Sequence, residues 1–222
     1  VASPALAHKI TFVGGGQMAE ALIGGLLAAK LCKPAQLWAT DPVSSRLDHL
    51  KREYGVQVGG QNREATAWAD VVVLAVKPQT MDAVLPDLKR FADAGTVFLS
   101  IAAGKTLKYF SGHLGAAARV VRAMPNTPAA VRQGITVACA SQGVTAAQRK
   151  RCQELLEAVG EALWVEDEPL MDPVTALSGS GPAYVFLLVE AMAAAGAKLG
   201  LTPEMAMQLA RATVAGSGEL LK

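Results

Sequence analysis

The first residues able to do chemistry form a glycine-rich turn near the start of the chain. The turn follows the apolar run Ile10–Val13 and reads Gly14-Gly15-Gly16-Gln17-Met18-Ala19. Gly14 permits a tight turn, Gly16 lets the backbone approach a pyrophosphate, and Ala19 lets a helix pack closely on a strand. The helix N-terminus offers unpaired N–H groups to an anion. The spacing predicts a dinucleotide site, although glycine-rich turns are frequent in α/β proteins and this one needs support from further residues.

Support comes from residues that follow two other apolar runs. The run Leu37–Thr40 ends beside Asp41, where a carboxylate favours a ribose with a free 2′-hydroxyl. Ser44, Ser45 and Arg46 could instead bind a 2′-phosphate, so the choice between NADH and NADPH stays open. Lys77 and Pro78 follow residues 71–76 and place a cation at the carboxyl edge of the expected sheet, although Lys77 is equally compatible with a solvated surface.

Three further segments contain small, rigid or hydrogen-bonding residues. They are Ser100-Ile101-Ala102-Ala103-Gly104, Met124-Pro125-Asn126-Thr127-Pro128 and Ser178-Gly179-Ser180-Gly181-Pro182. The first permits approach of a flat ring or merely tight packing. In the second, two prolines stiffen a loop and fix the direction of Asn126. The third precedes a long apolar segment, so its amides and hydroxyls would suit a carboxylate, unless it is only an interdomain turn.

The elements that position these residues alternate between short apolar strands and helices. Strands are predicted at 37–40, 71–76, 97–101, 120–122 and 135–137, and helices after Ser44 and after Thr145, ending at Gly55 and Gly160. After about residue 171 strand signals stop and alanine-rich helices follow, one of them opening at Thr202. The predicted class is α/β: a dinucleotide-binding Rossmann domain over residues 8–168, then the start of an all-α domain over 169–222.

Composition excludes several classes of protein. The 222 residues are 51% hydrophobic and 18% charged, with a net charge of +2, so we expect a globular core and neither a nucleic-acid nor a membrane partner. Cys32, Cys139 and Cys152 lack metal-ligand spacing, which predicts buried thiols, no metal and a cytoplasmic location. Residues 183–201 contain Glu190 and Lys198, which favours a buried soluble helix over a membrane span.

The two ends of the chain and the histidines complete these expectations. Ala5-Leu6-Ala7 superficially resembles a signal-cleavage tripeptide, but neither an apolar run nor a basic stretch precedes it, so we expect a ragged N-terminus. His8, His49 and His113 are expected at ordinary surface positions.

Five motifs together resemble those of one enzyme family. They are the glycine turn (residues 14–19), Ala75-Val76-Lys77-Pro78, the segment 100–104, the twin-proline loop (residues 124–128) and the serine-glycine segment (residues 178–182) followed by Ala183-Tyr184. In this order and spacing they are similar to pyrroline-5-carboxylate reductases, over essentially the whole chain. The resemblance implies NAD(P)H-dependent reduction of Δ1-pyrroline-5-carboxylate to L-proline, the last step of proline biosynthesis, by a homodimer or larger homo-oligomer.

The resemblance also implies roles for individual residues. On the cofactor side they are Val13, Gly14, Gly15, Gly16, Gln17, Met18, Thr40, Asp41, Asn62, Ala75, Val76, Lys77, Pro78, Ala102 and Ala103. On the substrate side they are Asn126, Glu168, Ser178, Gly179, Ser180, Gly181 and Pro182. The expected cofactor is NADPH, with NADH possible because Asp41 replaces the family's frequent serine or threonine. The family's substrate-binding threonine lies in a loop beyond Lys222, so we expect a truncated sequence and name no catalytic residue.

Three alternatives remain at the level of the sequence. A β-hydroxyacid dehydrogenase would need a catalytic lysine in the second domain, where Lys198 is the internal candidate and lies near a helix end. A non-catalytic dinucleotide sensor would share the fold without turnover. A structural, oligomer-forming module would explain the alanine-rich helices but not the glycine turn, Lys77 and the twin-proline loop together.

Overall fold

The computed structural model describes residues 8–92 and 95–221. The tripeptide Ala5-Leu6-Ala7 and Lys222 lie outside the described residues. The chain divides into two units, the first ending at Val174 and the second beginning at Thr175. The first unit is mixed α/β and the second is helical, which confirms the predicted fold class.

The first unit contains an eight-stranded sheet within its described residues. The strands are β1 (Ile10–Val13), β2 (Leu37–Thr40), β3 (Gln57–Gly59), β4 (Val71–Leu74), β5 (Val97–Ser100), β6 (Arg119–Met124), β7 (Gly134–Ala140) and β8 (Gly160–Trp164). Their spatial order is β3-β2-β1-β4-β5-β6-β7-β8. Strands β1 to β6 run parallel, β7 is antiparallel to β6, and β8 is parallel to β7. The order of the first six strands is that of doubly wound dinucleotide-binding folds, where ligands bind beyond the carboxyl ends of the strands.

Helices of the first unit cover both faces of this sheet. They are α1 (Gln17–Ala28), α2 (Ser44–Tyr54), α3 (Asn62–Trp68), α4 (Met81–Leu88), α5 (Leu107–Leu114), α6 (Ala146–Glu157) and α7 (Met171–Val174). Helix α2 ends as predicted at Gly55, whose φ of 68° is left-handed and whose N–H bonds to the carbonyl of Lys51. Helix α6 begins after Thr145 as predicted, and a capping box of Thr145 and Gln148 opens it.

The core lies in two layers because consecutive strand residues point to opposite faces of the sheet. Val71 and Val73 pack with α1 and α6, whereas Val72 and Leu74 pack with α4 and α5. Both faces are therefore apolar, as in other parallel sheets covered by helices. Each of the three cysteines is free and buried in the described structure, as expected.

Strands β3 and β8 are additions to the sequence prediction. The sequence predicts that the helix after Thr145 ends at Gly160. This prediction is wrong, because α6 ends at Glu157 and Gly160 is the first residue of β8. The strand reads Gly-Glu-Ala-Leu-Trp and lacks β-branched residues, so local propensity does not reveal it. Its pairing with β7 supplies the stabilisation, and it brings Gly160 against Gly134.

The second unit consists of a five-residue π-helix, Thr175–Gly179, and the helices α8 (Gly181–Lys198) and α9 (Pro203–Glu219). The Thr202 hydroxyl accepts a bond from the N–H of Met205 and caps α9, as predicted. The two helices contact each other through Ala193, Ala206 and Ala210.

Helix α8 differs from the expectation of a buried helix. Within the described chain Ala193 is its buried residue, whereas its large apolar side chains are exposed. They are Tyr184, Val185, Phe186, Leu187, Leu188 and Met192. The prediction of burial is wrong for the single chain, because two helices alone cannot cover so much apolar surface. The helical stretch Glu168–Lys198 is also long and apolar enough to cross a membrane by length and composition alone, which for a single helix is a weak indicator.

Candidate active site

The register of the sheet brings three predicted site residues to one edge. Val13 at the end of β1 pairs with Thr40 of β2 on one side and with Leu74 of β4 on the other. Gly14, Asp41 and Ala75 therefore emerge side by side at the carboxyl edge. This is where doubly wound sheets bind ligands.

A cavity of about 470 Å³ lies at this edge, within the first unit. It is lined by nine predicted cofactor residues, Val13, Gly14, Gly16, Thr40, Asp41, Asn62, Ala75, Val76 and Lys77. It is also lined by residues that sequence reasoning missed, Pro42, Gly60, Thr80, Ala83 and Val84. The missed residues follow strands β2 and β3 or lie in the helical segment after β4. Their position just beyond the strand ends could have indicated that they line the ligand site. The sequence had not revealed β3 at all.

The other predicted cofactor residues occupy neighbouring positions. Gln17 and Met18 begin α1, and Pro78 opens a short 3-10 turn before α4. Ala102 is buried in the core, whereas Ala103 is exposed after β5.

Gly14 shows why the turn requires glycine. Its φ is 101°, and a Cβ built there would lie 2.8 Å from the backbone carbonyl atoms of Ala75. A Cβ built on Gly16 would meet nothing within 4 Å, and Gly16 lines the cavity. The turn thus presents open space where a pyrophosphate would lie. Helix α1 starts after Gly16 without a side-chain cap, which leaves its first amides for such an anion.

Asp41 has a structural role as well as a place on the cavity. One carboxylate oxygen accepts the N–H of Gly15 at 2.8 Å, and the other accepts the N–H of Val43 at 2.9 Å. Asp41 therefore ties the glycine turn to the connection between β2 and α2. Thr40 donates its hydroxyl to the side-chain oxygen of Asn62 at 2.6 Å, which joins the ends of β2 and α3.

Glu168 is held at the same edge by two donors on one oxygen. Its Oε1 accepts the N–H of Leu107 at 2.8 Å and a bond from Arg122 Nη1 at 2.9 Å. Arg122 lies on β6, opposite Ser100 of β5, and its side chain is only 7% exposed. Sequence reasoning missed Arg122, although an arginine inside the apolar run of β6 was an available signal.

The remaining predicted residues lie in two further segments. Asn126 is buried, and its side-chain oxygen accepts the N–H of Ile135, so the amide stiffens the twin-proline loop. Ser178 and Gly179 belong to the π-helix of the second unit, where the N–H of Ser180 bonds to the carbonyl of Thr175. The serine-glycine segment is thus helical rather than an open turn. Single π turns of this kind recur at functional sites.

Comparison with known proteins agrees with this geometry. Residues 9–104 match the family described as NADP oxidoreductase coenzyme F420-dependent, and residues 168–222 match pyrroline-5-carboxylate reductase dimerisation. A pyrroline-5-carboxylate reductase of Pseudomonas aeruginosa is 46% identical over 212 residues, which are 96% of this chain and 77% of that protein. The reductase of Escherichia coli is 35% identical, over 96% of this chain and 79% of that protein.

This chain belongs to the pyrroline-5-carboxylate reductase family. A solved reductase of the family from Coxiella burnetii matches with a TM-score of 0.90 and 40% identity, over 96% of this chain and 79% of that one. A Plasmodium falciparum reductase solved with NADP bound matches with a TM-score of 0.86 and 30% identity, over 98% and 79%. The family and the oxidoreductase class predicted from the motifs are confirmed. The chain spans about three quarters of the length of these relatives.

Proposed function

We propose that this protein reduces Δ1-pyrroline-5-carboxylate to L-proline with a reduced nicotinamide cofactor, as the last step of proline biosynthesis. The observation that carries the proposal is the glycine turn on an open cavity in a chain of this family. The cavity is lined by nine of the residues expected to contact the cofactor.

The cofactor is proposed to lie along the carboxyl edge of the sheet. Gly14 and Gly16 would approach its pyrophosphate, Asp41 and Asn62 its ribose, and residues 75–78 and 102–103 its nicotinamide end. The open space beside Gly16 and the absence of a side-chain cap on α1 fit this group. When bound, the cofactor supplies the hydride, and the protein's task is to hold the substrate at reacting distance.

Substrate contacts are proposed for Glu168, for Asn126 and for the segment from Ser178 to Pro182. The bonds from Arg122 and Leu107 converge on Oε1 of Glu168, which leaves its Oε2 to accept a substrate N–H. A carboxylate beside the imine nitrogen favours its protonated form, and the protonated imine is the better hydride acceptor. Arg122 then positions Glu168 without touching the substrate. The serine-glycine segment suits the substrate carboxylate.

NADPH is the proposed cofactor, and NADH is a second possibility because Asp41 is an anion at the ribose end. The relative from Plasmodium falciparum was solved with NADP bound, which supports NADPH. A negative charge beside a 2′-phosphate disfavours NADPH, which supports at least partial use of NADH.

A homodimer or larger homo-oligomer in the cytoplasm is also proposed. The exposed apolar side chains of α8 would be covered by a second copy. The second unit matches the dimerisation region of the family, which supports the same assembly. We propose no nucleic-acid, membrane or metal partner.

The activity is tested by mixing the purified protein with NADPH or NADH and following the loss of absorbance of the reduced cofactor. We expect oxidation only after Δ1-pyrroline-5-carboxylate is added, with L-proline as the product. Oxidation of the cofactor with an open-chain keto acid, but not with the cyclic imine, would refute the proposal.

A further inference from the structure

A partly buried arginine lies against the glycine turn. Arg46, on the first turn of α2, donates from Nε to the carbonyl oxygen of Gly15. Its Nη2 donates to Glu20 on α1 and approaches the carbonyl of Gly16 at 3.4 Å. The guanidinium is therefore held by the turn itself and by one carboxylate.

Glu20 is in turn held by three side chains of α2. Besides Arg46, His49 Nε2 lies 2.8 Å from Oε1, and the hydroxyl of Tyr54 donates to Oε1 at 3.0 Å. Burial acts to raise the pKa of Glu20, but the hydrogen bonds from these three side chains together lower it. Glu20 therefore stays charged at neutral pH and remains a partner for Arg46.

The position of Arg46 relates it to the cofactor's ribose. A Cβ built on Gly15 would lie 3.4 Å from Arg46 Cγ and 3.5 Å from Asp41 Cβ, so both side chains flank the same residue of the turn. In dinucleotide folds the residue after the second strand contacts the ribose, and a nearby arginine accommodates the 2′-phosphate of NADPH. Arg46 is in the right place for that task, but its Nε and Nη2 already donate to the glycine turn and to Glu20.

We infer that Glu20 is a specificity-determining residue, because it holds Arg46 against the glycine turn and so keeps Nε and Nη2 of the guanidinium from a 2′-phosphate. The inference rests on the proposed use of a nicotinamide cofactor. Arg63 next to Asn62 does not replace Arg46, since its Nε donates to Asp87 of α4 at 3.0 Å. The carboxylate of Asp41 and the engagement of Arg46 thus act in the same direction: each weakens the preference for NADPH over NADH.

The test measures binding of NADP⁺ and NAD⁺ by calorimetry, which is independent of turnover. Glu20→Gln removes the charge that holds Arg46, and we expect the affinity ratio to move at least about tenfold toward NADP⁺. The double variant E20Q/R46M should lose this gain. Glu53→Gln is the matched control, because it removes the same charge from the exposed face of α2.

A second measurement does not depend on the stability of the Glu20 variant. Since Arg46 is withheld in the wild type, Arg46→Met alone should leave the NADP⁺ to NAD⁺ ratio within about threefold. A tenfold loss of NADP⁺ affinity alone would show that Arg46 already binds the 2′-phosphate and would overturn the inference. Equal shifts of the affinity ratio in E20Q and E53Q would also overturn the inference, because they would show that the loss of any negative charge on the protein favours NADP⁺. A wild-type protein that binds neither nucleotide would instead refute the proposed cofactor use.

Discussion

At the scale of single residues, Gly16 gives the sharpest test of the cofactor site. Gly16→Val would place a branched side chain in the open space on the cavity, where the pyrophosphate is proposed to lie. We expect cofactor affinity to fall at least about tenfold, or roughly 1.4 kcal/mol. Gly112→Val on α5 is the control, because a Cβ there also meets nothing within 4 Å. Unchanged affinity in a folded Gly16→Val protein, measured by calorimetry, would remove the nucleotide from this turn.

The second prediction for a single residue concerns Asp41 and the preference between NADPH and NADH. Asp41→Ser removes a negative charge from the ribose end, so the ratio of kcat/KM for NADPH over NADH should rise. The same change removes the acceptor for the N–H of Gly15, so both affinities are expected to fall somewhat. Asp41→Asn is the matched variant, because it removes the charge and keeps an acceptor. If neither variant moves the ratio, Asp41 does not face the ribose.

Arg122 and Glu168 give a prediction about both stability and catalysis. Removing one partner of a buried ion pair costs about 3–5 kcal/mol, and Arg122→Met should fall at the lower end because Glu168 is 23% exposed. Urea unfolding measures this loss. The double variant R122M/E168Q should recover part of the stability but none of the activity, if Glu168 contacts the substrate. Full activity in the double variant would contradict that role.

At the scale of elements, Gly160 tests how the last strand is attached. A Cβ on Gly160 would lie 1.9 Å from the carbonyl oxygen of Gly134, at the point where β7 and β8 pair. Gly160→Ala should lower the free energy of unfolding by about 1–3 kcal/mol, because the two strands must separate locally to make room for the added Cβ. Gly143→Ala is the control: it shares a positive φ but has open space around its Cβ. Similar losses in the two variants would assign the effect to backbone strain alone.

At the scale of the whole molecule, the apolar face of α8 predicts self-association. Phe186 and Leu187 are 60% and 66% exposed in the single chain, which is costly in water. We expect light scattering to report a dimer or larger assembly at micromolar concentration. Phe186→Glu should shift the assembly toward monomers, whereas Val131→Glu, at an exposed site of the first unit, should not. A stable wild-type monomer at this concentration would refute the proposed assembly.

The sequence by itself determined the features that depend on neighbours in the chain. The glycine turn, the Gly55 helix end, the Thr145 and Thr202 caps and the apolar parallel strands were all predictable. Each follows from local backbone preference or from alternation of side chains. The same short motifs were enough to predict the family.

Tertiary structure alone decided the features that join distant residues. Asp41 meets Gly15 across 26 residues, Arg46 meets Glu20 across 26, and Arg122 meets Glu168 across 46. Strand β8 forms because β7 offers a partner, and the large apolar side chains of α8 are exposed among the described residues of the single chain. No local pattern encodes such pairs, since hydrogen bonds and buried charges depend on which side chains the packed fold brings together.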